Sequence, residues 1–146
     1  MEIKIKIFPG GRLPEKSDKG DWIDVFTREE VRLYAGGSAI IGLGFSCELP
    51  DGYEAHIVPR SSLFKTYGVL QTNGLGVIDQ AYAGDADEWR FPVYATVHVS
   101  IPAGAKVAQF RLVKKQPKVP FTQVDHLDKP SRGGFGSTGD GLEKGA

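Results

Sequence analysis

Nineteen glycines and nine prolines punctuate this chain so regularly that few uninterrupted stretches exceed about ten residues. A helix in a globular protein usually needs about 10–14 residues to bury a useful face, so this punctuation works against helices. The pieces between the breaks carry the period of a strand instead. "IKIKIF" places Ile3, Ile5 and Ile7 on one face and lysines on the other. "VYATVHVSI" does the same with Val93, Ala95, Val97, Val99 and Ile101. "KVAQFRLV" sets Ala108, Phe110 and Leu112 against Val107, Gln109 and Arg111. "GYEAHIVP" and "FTQV" are further strand candidates, and turn signals such as "LPDGY" and "IPAGAK" separate the runs. The spacing predicts an all-β sandwich or barrel. The only helix expected is a turn or two around "KTYGVL", and "TREEV" is a candidate for one more turn.

At 146 residues the chain is long enough for one domain with one sizeable core. Eighteen basic and eighteen acidic residues leave no net charge, which gives no support for nucleic-acid or membrane-surface binding. No apolar run approaches the roughly 20 residues of a spanning helix, and the alternating N-terminus does not read as a signal peptide. A single cysteine, Cys47, rules out an intrachain disulfide and fits a reducing, cytoplasmic setting. His56, His98 and His126 are scattered without metal-ligand spacing, which argues against structural zinc.

Three stretches carry chemistry. In "GVIDQAYAGD" an apolar run closes on Asp79, with Tyr82 three residues on and glycines at both ends. Taken alone it reads as a turn, since Asp commonly ends a strand there. "PRSS" follows a strand: Pro59 ends the ladder, Arg60 brings a fork of donors, and Ser61 and Ser62 bring hydroxyls, a set suited to phosphate oxygens. From Arg132 the chain becomes "GGFGSTGDGLEKGA", whose composition reads as a mobile tail. Gly134, Gly136 and Gly139 have the spacing of a dinucleotide-binding turn, but no helix can follow so near the end, and Asp140 stands where a P-loop needs lysine. Phe135 is unusual in a linker, and Arg132, Ser137, Thr138 and glycine amides are all phosphate-binding groups. Together the three stretches describe a nucleotide site without a Walker lysine.

In order along the chain, "DWIDV", "PRSS", "NGLGVIDQAYAGD", "KVAQF" and "RGGFGSTG" resemble the five motifs of the trimeric all-β dUTP diphosphatase (dUTPase) family. The resemblance runs from Asp21 to Gly139, and "DEWRFPVYA" is similar to the branch of Gram-positive bacteria and their phages. Two differences stand out: Trp22 occupies a position that is usually glycine, and Arg132 lies only three residues before Phe135.

The resemblance implies a β-barrel or jelly-roll (β-clip) protomer with little helix, a catalytic domain over residues 1–131, and a flexible arm over 132–146 that closes an active site. It implies hydrolysis of dUTP to dUMP and pyrophosphate with Mg²⁺, in a cytoplasmic homotrimer with sites at subunit interfaces. Asp79 matches the general base for the attacking water. Asn73 and the backbone of Gly76, Val77 and Ile78 match the hairpin that reads the uracil edge. Tyr82 matches the ring beneath deoxyribose. Arg60, Ser61, Ser62 and Gln109 match phosphate contacts, and Asp24 matches the acid that orients Mg²⁺ through water. Arg132 and Gly136 belong to the closing arm, Phe135 matches its cover over uracil, and Ser137 and Thr138 match its γ-phosphate contacts. The alternatives are a dCTP deaminase-like sister enzyme, and a nucleotide-dependent regulatory protein of the same fold with an unidentified protein partner.

Overall fold

The computed structural model describes residues 1–142, and residues 143–146 of the expected arm lie outside the described residues. Twelve short strands and one helix follow in order: β1 Lys4–Ile7, β2 Glu15–Lys16, β3 Ile23–Phe26, β4 Val31–Leu33, β5 Ser38–Gly42, β6 Phe45–Glu48, β7 Tyr53–Pro59, α1 Leu63–Tyr67, β8 Val69–Gln71, β9 Gly76–Ile78, β10 Arg90–Ala95, β11 Val99–Ile101 and β12 Lys106–Lys114. They form a five-stranded sheet in the order β2-β3-β12-β7-β9, a three-stranded sheet β5-β10-β8, and two-stranded ribbons β1-β6 and β11-β4. The described pairings are antiparallel. The fold is all-β, as the alternation predicts.

The core lies between the sheets. Ala55 and Ile57 of β7, Phe110 of β12, and Phe91 and Val93 of β10 are all buried. Trp89, fully buried just before β10, joins the layers: its ring lies 4.9 Å from Phe45 and 5.0 Å, edge-on, from Phe110. β12 departs from strict alternation. Val107 and Ala108 are both fully buried because the register with β3 shifts between Lys106 and Ala108. Such a bulge turns two successive side chains inward.

Three expectations are corrected. "VYATVHVSI" is two strands in different sheets, broken at Thr96–His98, where Val97 is 48% exposed. At the break the Thr96 N–H and hydroxyl both donate to Gly68 O, at 2.9 and 2.6 Å. "FTQV" forms no strand, and Phe121 is 96% exposed. "TREEV" forms no helical turn: the Thr27 hydroxyl donates to Pro102 O and accepts from the Ala105 N–H, ending β3, and Val31 opens β4. The helix starts two residues earlier than "KTYGVL" and ends at Gly68, whose φ of 67° makes a left-handed cap that glycine takes without steric cost.

The first compact unit spans Met1–Gln116 and the second begins at Pro117. Within the second unit the residues from Pro117 to Leu142 form no helix or strand.

Candidate active site

β7 delivers the first group of site residues. Its last residue, Pro59, stands opposite Ala108 of β12, and the Arg60 N–H then donates to Val107 O at 3.2 Å. The Leu63 N–H donates to Arg60 O at 3.0 Å and starts α1, so Arg60, Ser61 and Ser62 form a short turn fixed at both ends. On β12, Gln109 faces Asp24 of β3. The result is a cleft of about 240 Å³ lined by Asp24, Arg60, Ser61 and Gln109, together with Ser17, Lys19, Gly20, Asp21 and Trp22. Four of the expected phosphate-side and metal-side residues therefore converge. Ser62 is not part of this lining.

Asp24 is only 8% exposed, and its Oδ2 lies 3.1 Å from Lys106 Nζ. The ammonium offsets the cost of burying the carboxylate's charge. Lys106 opens the "KVAQF" motif, but the sequence alone assigns it no role. It stands at the bulge, where alternation gives no guide to direction.

The second group lies on the segment from β8 to Glu88. Here the expected hairpin is corrected. β8 pairs with β10 and β9 pairs with β7, so the two strands belong to different sheets and Thr72–Leu75 arches between them. β9 is an edge strand of its sheet. An edge strand presents unpaired backbone N–H and C=O groups, which are the groups needed to read the rim of a base. The arch is held at its root: Gln71 Nε2 donates to Ile57 O at 3.2 Å. A Cβ on Gly76 would lie 3.1 Å from Ile57 Cβ and 3.4 Å from Gln71 Nε2, so the root has little room for any other residue.

Asp79 follows β9 directly and is exposed. The Tyr82 N–H donates to Asp79 O at 3.0 Å, closing a turn, and the Tyr82 hydroxyl donates to Glu88 O at 2.8 Å. Glu88 is itself 8% exposed, with one carboxylate oxygen 3.2 Å from Arg28 and the other accepting the Gly44 N–H at 2.9 Å. Tyr82 is thereby tied to a residue whose own side chain is held by Arg28 and Gly44.

Within one chain the two groups stand apart. Ile78 lies opposite Ala55, so Asp79 is level with Glu54, while Arg60 lies beyond the other end of β7. At about 3.3 Å per residue the separation along the strand is on the order of 20 Å. In the second unit Arg132, Phe135, Gly136, Ser137 and Thr138 are all exposed. Phe135 has φ 46°, rare for a bulky side chain, between Gly133 and Gly136, which also take positive φ.

The all-β chain thus sets a polar cleft beyond one end of β7 and the Asp79 carboxylate level with the other end. The chain belongs to the dUTPase family, whose model matches residues 12–139. It is 47% identical over 140 residues to the SPbeta prophage-derived deoxyuridine 5'-triphosphate nucleotidohydrolase YosS of Bacillus subtilis, covering 95% of this chain and 99% of that protein. It is 36% identical over 143 residues to the deoxyuridine 5'-triphosphate nucleotidohydrolase of Clostridium acetobutylicum, covering 95% and 97%. Among solved structures, a mutant of the Staphylococcus bacteriophage 80alpha dUTPase with dUpNHpp shares the fold at TM-score 0.80 and 20% identity, covering 94% of this chain and 98% of that one. A mutant dUTPase from phage phi11 of S. aureus, described as coordinating a structural Mg(II) ion, matches at TM-score 0.74 and 18% identity, covering 86% and 98%.

Proposed function

We propose that this protein hydrolyses dUTP to dUMP and pyrophosphate, as the names of its relatives describe, and that it does so as a homotrimer whose sites combine residues of different copies. Asp79 takes a proton from water, whose oxygen attacks the α-phosphorus; the bond from that phosphorus to the bridging oxygen breaks, and pyrophosphate leaves. Arg60, Ser61 and Gln109 hold the phosphate oxygens and stabilise the charge that builds on them. The free edge of β9 and Asn73 read the uracil, and Tyr82 packs under the deoxyribose and leaves no room for a 2′-hydroxyl. From the arm, Phe135 covers the base, while Arg132, Gly136, Ser137 and Thr138 meet the terminal phosphate, with Ser62 at the phosphate-side turn.

The carrying observation is the separation of about 20 Å along β7. Such a separation within one chain supports a site in which a second copy brings the complementary group. Apolar residues that one copy leaves exposed support assembly: Ile40, Leu70 and Tyr94 on the three-stranded sheet are 66%, 47% and 42% exposed.

Mg²⁺ fits this chain as an ion carried by the triphosphate. Among the described residues no three His, Cys, Asp or Glu side chains gather to hold an ion directly. Asp24 lines the cleft beside Asp21, with one oxygen committed to Lys106, which suits contact through the water that Mg²⁺ retains. When bound, the ion offsets charge on the phosphates.

Two experiments test the reading. Pyrophosphate release should be confined to dUTP across the four common dNTPs, dUTP and UTP, and ammonia release from dCTP would assign the chain to the deaminases instead. Inactive Asp79→Asn and Arg60→Ala chains, mixed and allowed to exchange subunits, should recover activity, because some interfaces then hold both native groups. Mixed trimers that stay inactive would place each site within one chain.

A further inference from the structure

We propose that Gln80 is a positioning residue for the Asp79 carboxylate, acting through a three-way knot at the rim of the five-stranded sheet. This rests on the assignment of Asp79 as general base. Three neighbouring strands meet that rim: β9 leaves it, β7 enters it and β12 leaves it, with Ile78 opposite Ala55 and Lys114 opposite Tyr53. The same register brings Gln80 level with Tyr53, beside the Asp51–Gly52 turn. There its side chain reaches both neighbours. Nε2 donates to Asp51 Oδ1 at 2.7 Å, and Oε1 accepts from Lys115 Nζ at 3.2 Å and from the Gly52 N–H at 3.4 Å. The Lys115 N–H donates in turn to Gly52 O at 2.9 Å.

The knot matters because the exposed Asp79 carboxylate has no hydrogen bond or ion pair of its own among the described residues. Its direction is therefore set by the backbone on either side. The β7–β9 ladder fixes the chain up to Ile78, the Tyr82 N–H holds the Asp79 carbonyl, and the Tyr82 hydroxyl ties the far side of the turn to Glu88 O. Between them Gln80 is the residue whose side chain ties the turn to the neighbouring strands. An amide is suited to the place, since it must donate to a carboxylate and accept from an ammonium and an N–H at once. A hydrophobic residue does neither, and a glutamate would set a second carboxylate against Asp51.

The test uses the full chain, with dUTP as substrate and pyrophosphate release as readout, on Asp79→Asn, Gln80→Ala, Gln80→Glu and the double variant Gln80→Glu with Asp51→Asn. Misplacing a reacting group by about 1 Å can cost up to ~10²-fold, so Gln80→Ala should lower kcat by about tenfold. KM should stay within about twofold of the native protein, since Gln80 holds the base rather than the nucleotide. Gln80→Glu should also be slow, and Asp51→Asn should restore it, because the new amide then donates to the new carboxylate. Thermal unfolding midpoints accompany each variant: a purely structural role would lower the midpoint without the kcat-specific loss or its recovery. Native kcat in Gln80→Ala while Asp79→Asn is inactive overturns the positioning role alone, as does absence of recovery in the double variant. Native turnover in Asp79→Asn overturns the base assignment, and the inference with it.

Discussion

The base role proposed for Asp79 is not legible in its own surroundings. Asp79 is exposed, it ends a strand, and its carbonyl closes a turn with the Tyr82 N–H; by those facts alone it is a turn former. The difference is testable by removing only the proton acceptor. Asp79→Asn keeps the shape and should bind dUTP while turning over ~10²–10⁴ more slowly; near-native turnover in a single-turnover assay would return Asp79 to the role of turn former. Tyr82 is the opposite case, since its position is strongly determined. Its hydroxyl is tied to Glu88 O at 2.8 Å, and a side chain so held presents one ring face in a fixed place. Tyr82→Ala should open the space beneath the sugar and narrow the preference for dUTP over UTP. Competition between the two nucleotides measures this, and an unchanged ratio with binding intact would move sugar discrimination elsewhere.

At the scale of elements, the arch from β8 to β9 matters most. Two strands that would form a hairpin if they paired with each other are pulled apart into two sheets, and this leaves the edge of β9 open. The arch tolerates no bulk at its root. Gly76→Val would drive methyl groups against Ile57, whose Cβ lies 3.1 Å from where the first added carbon would stand. The backbone of Gly76 has no unusual φ, so the obstacle is space rather than torsion. We expect Gly76→Val to push β9 off β7 and weaken dUTP binding by at least about tenfold, or ~1.4 kcal/mol, by calorimetry on the folded variant. Unchanged affinity would show that the base does not depend on this edge.

For the whole molecule, two consequences follow from where side chains are placed. Cys47 is 5% exposed, and burial pushes its thiol from an ordinary 9.0 up to about 11. The unfolded chain releases that proton near pH 9, whereas the folded chain keeps it until about pH 11. Stability from this group is complete below pH 9 and is lost as pH rises to about 11, by on the order of 2–3 kcal/mol. Denaturant melts of the native protein and Cys47→Ala across that range should differ in slope, and parallel declines would assign the loss to other groups. The second consequence concerns the chain from Pro117 onward. The described part of it is exposed and forms no strand or helix, and ordering it costs roughly 1–2 kcal/mol per residue. If the arm closes the site as proposed, a chain ending at Pro130 should fold and keep the native protein's assembly state yet lose most of its turnover. Full turnover in that truncation would make the arm a linker.

Much of this was legible in the residues. Alternation within short pieces identifies strands, because a strand with one wet and one dry face must alternate wherever it lies. The motif order placed Asp24, Arg60, Ser61 and Gln109 in one reading, and the fold gathers those four around one cleft. Alternation is silent about partners, however. It cannot tell that Val93–Ala95 and Val99–Ile101 enter different sheets, that β8 and β9 part company, or that a bulge turns Val107 and Ala108 inward together. Nor does any local pattern bring Lys106 to Asp24, or Gln80 to Asp51 and Lys115. Those contacts join residues between 29 and 82 positions apart. Faces are a local property of each strand; neighbours and register depend on backbone hydrogen bonds between distant segments, and only the packed sheets decide them.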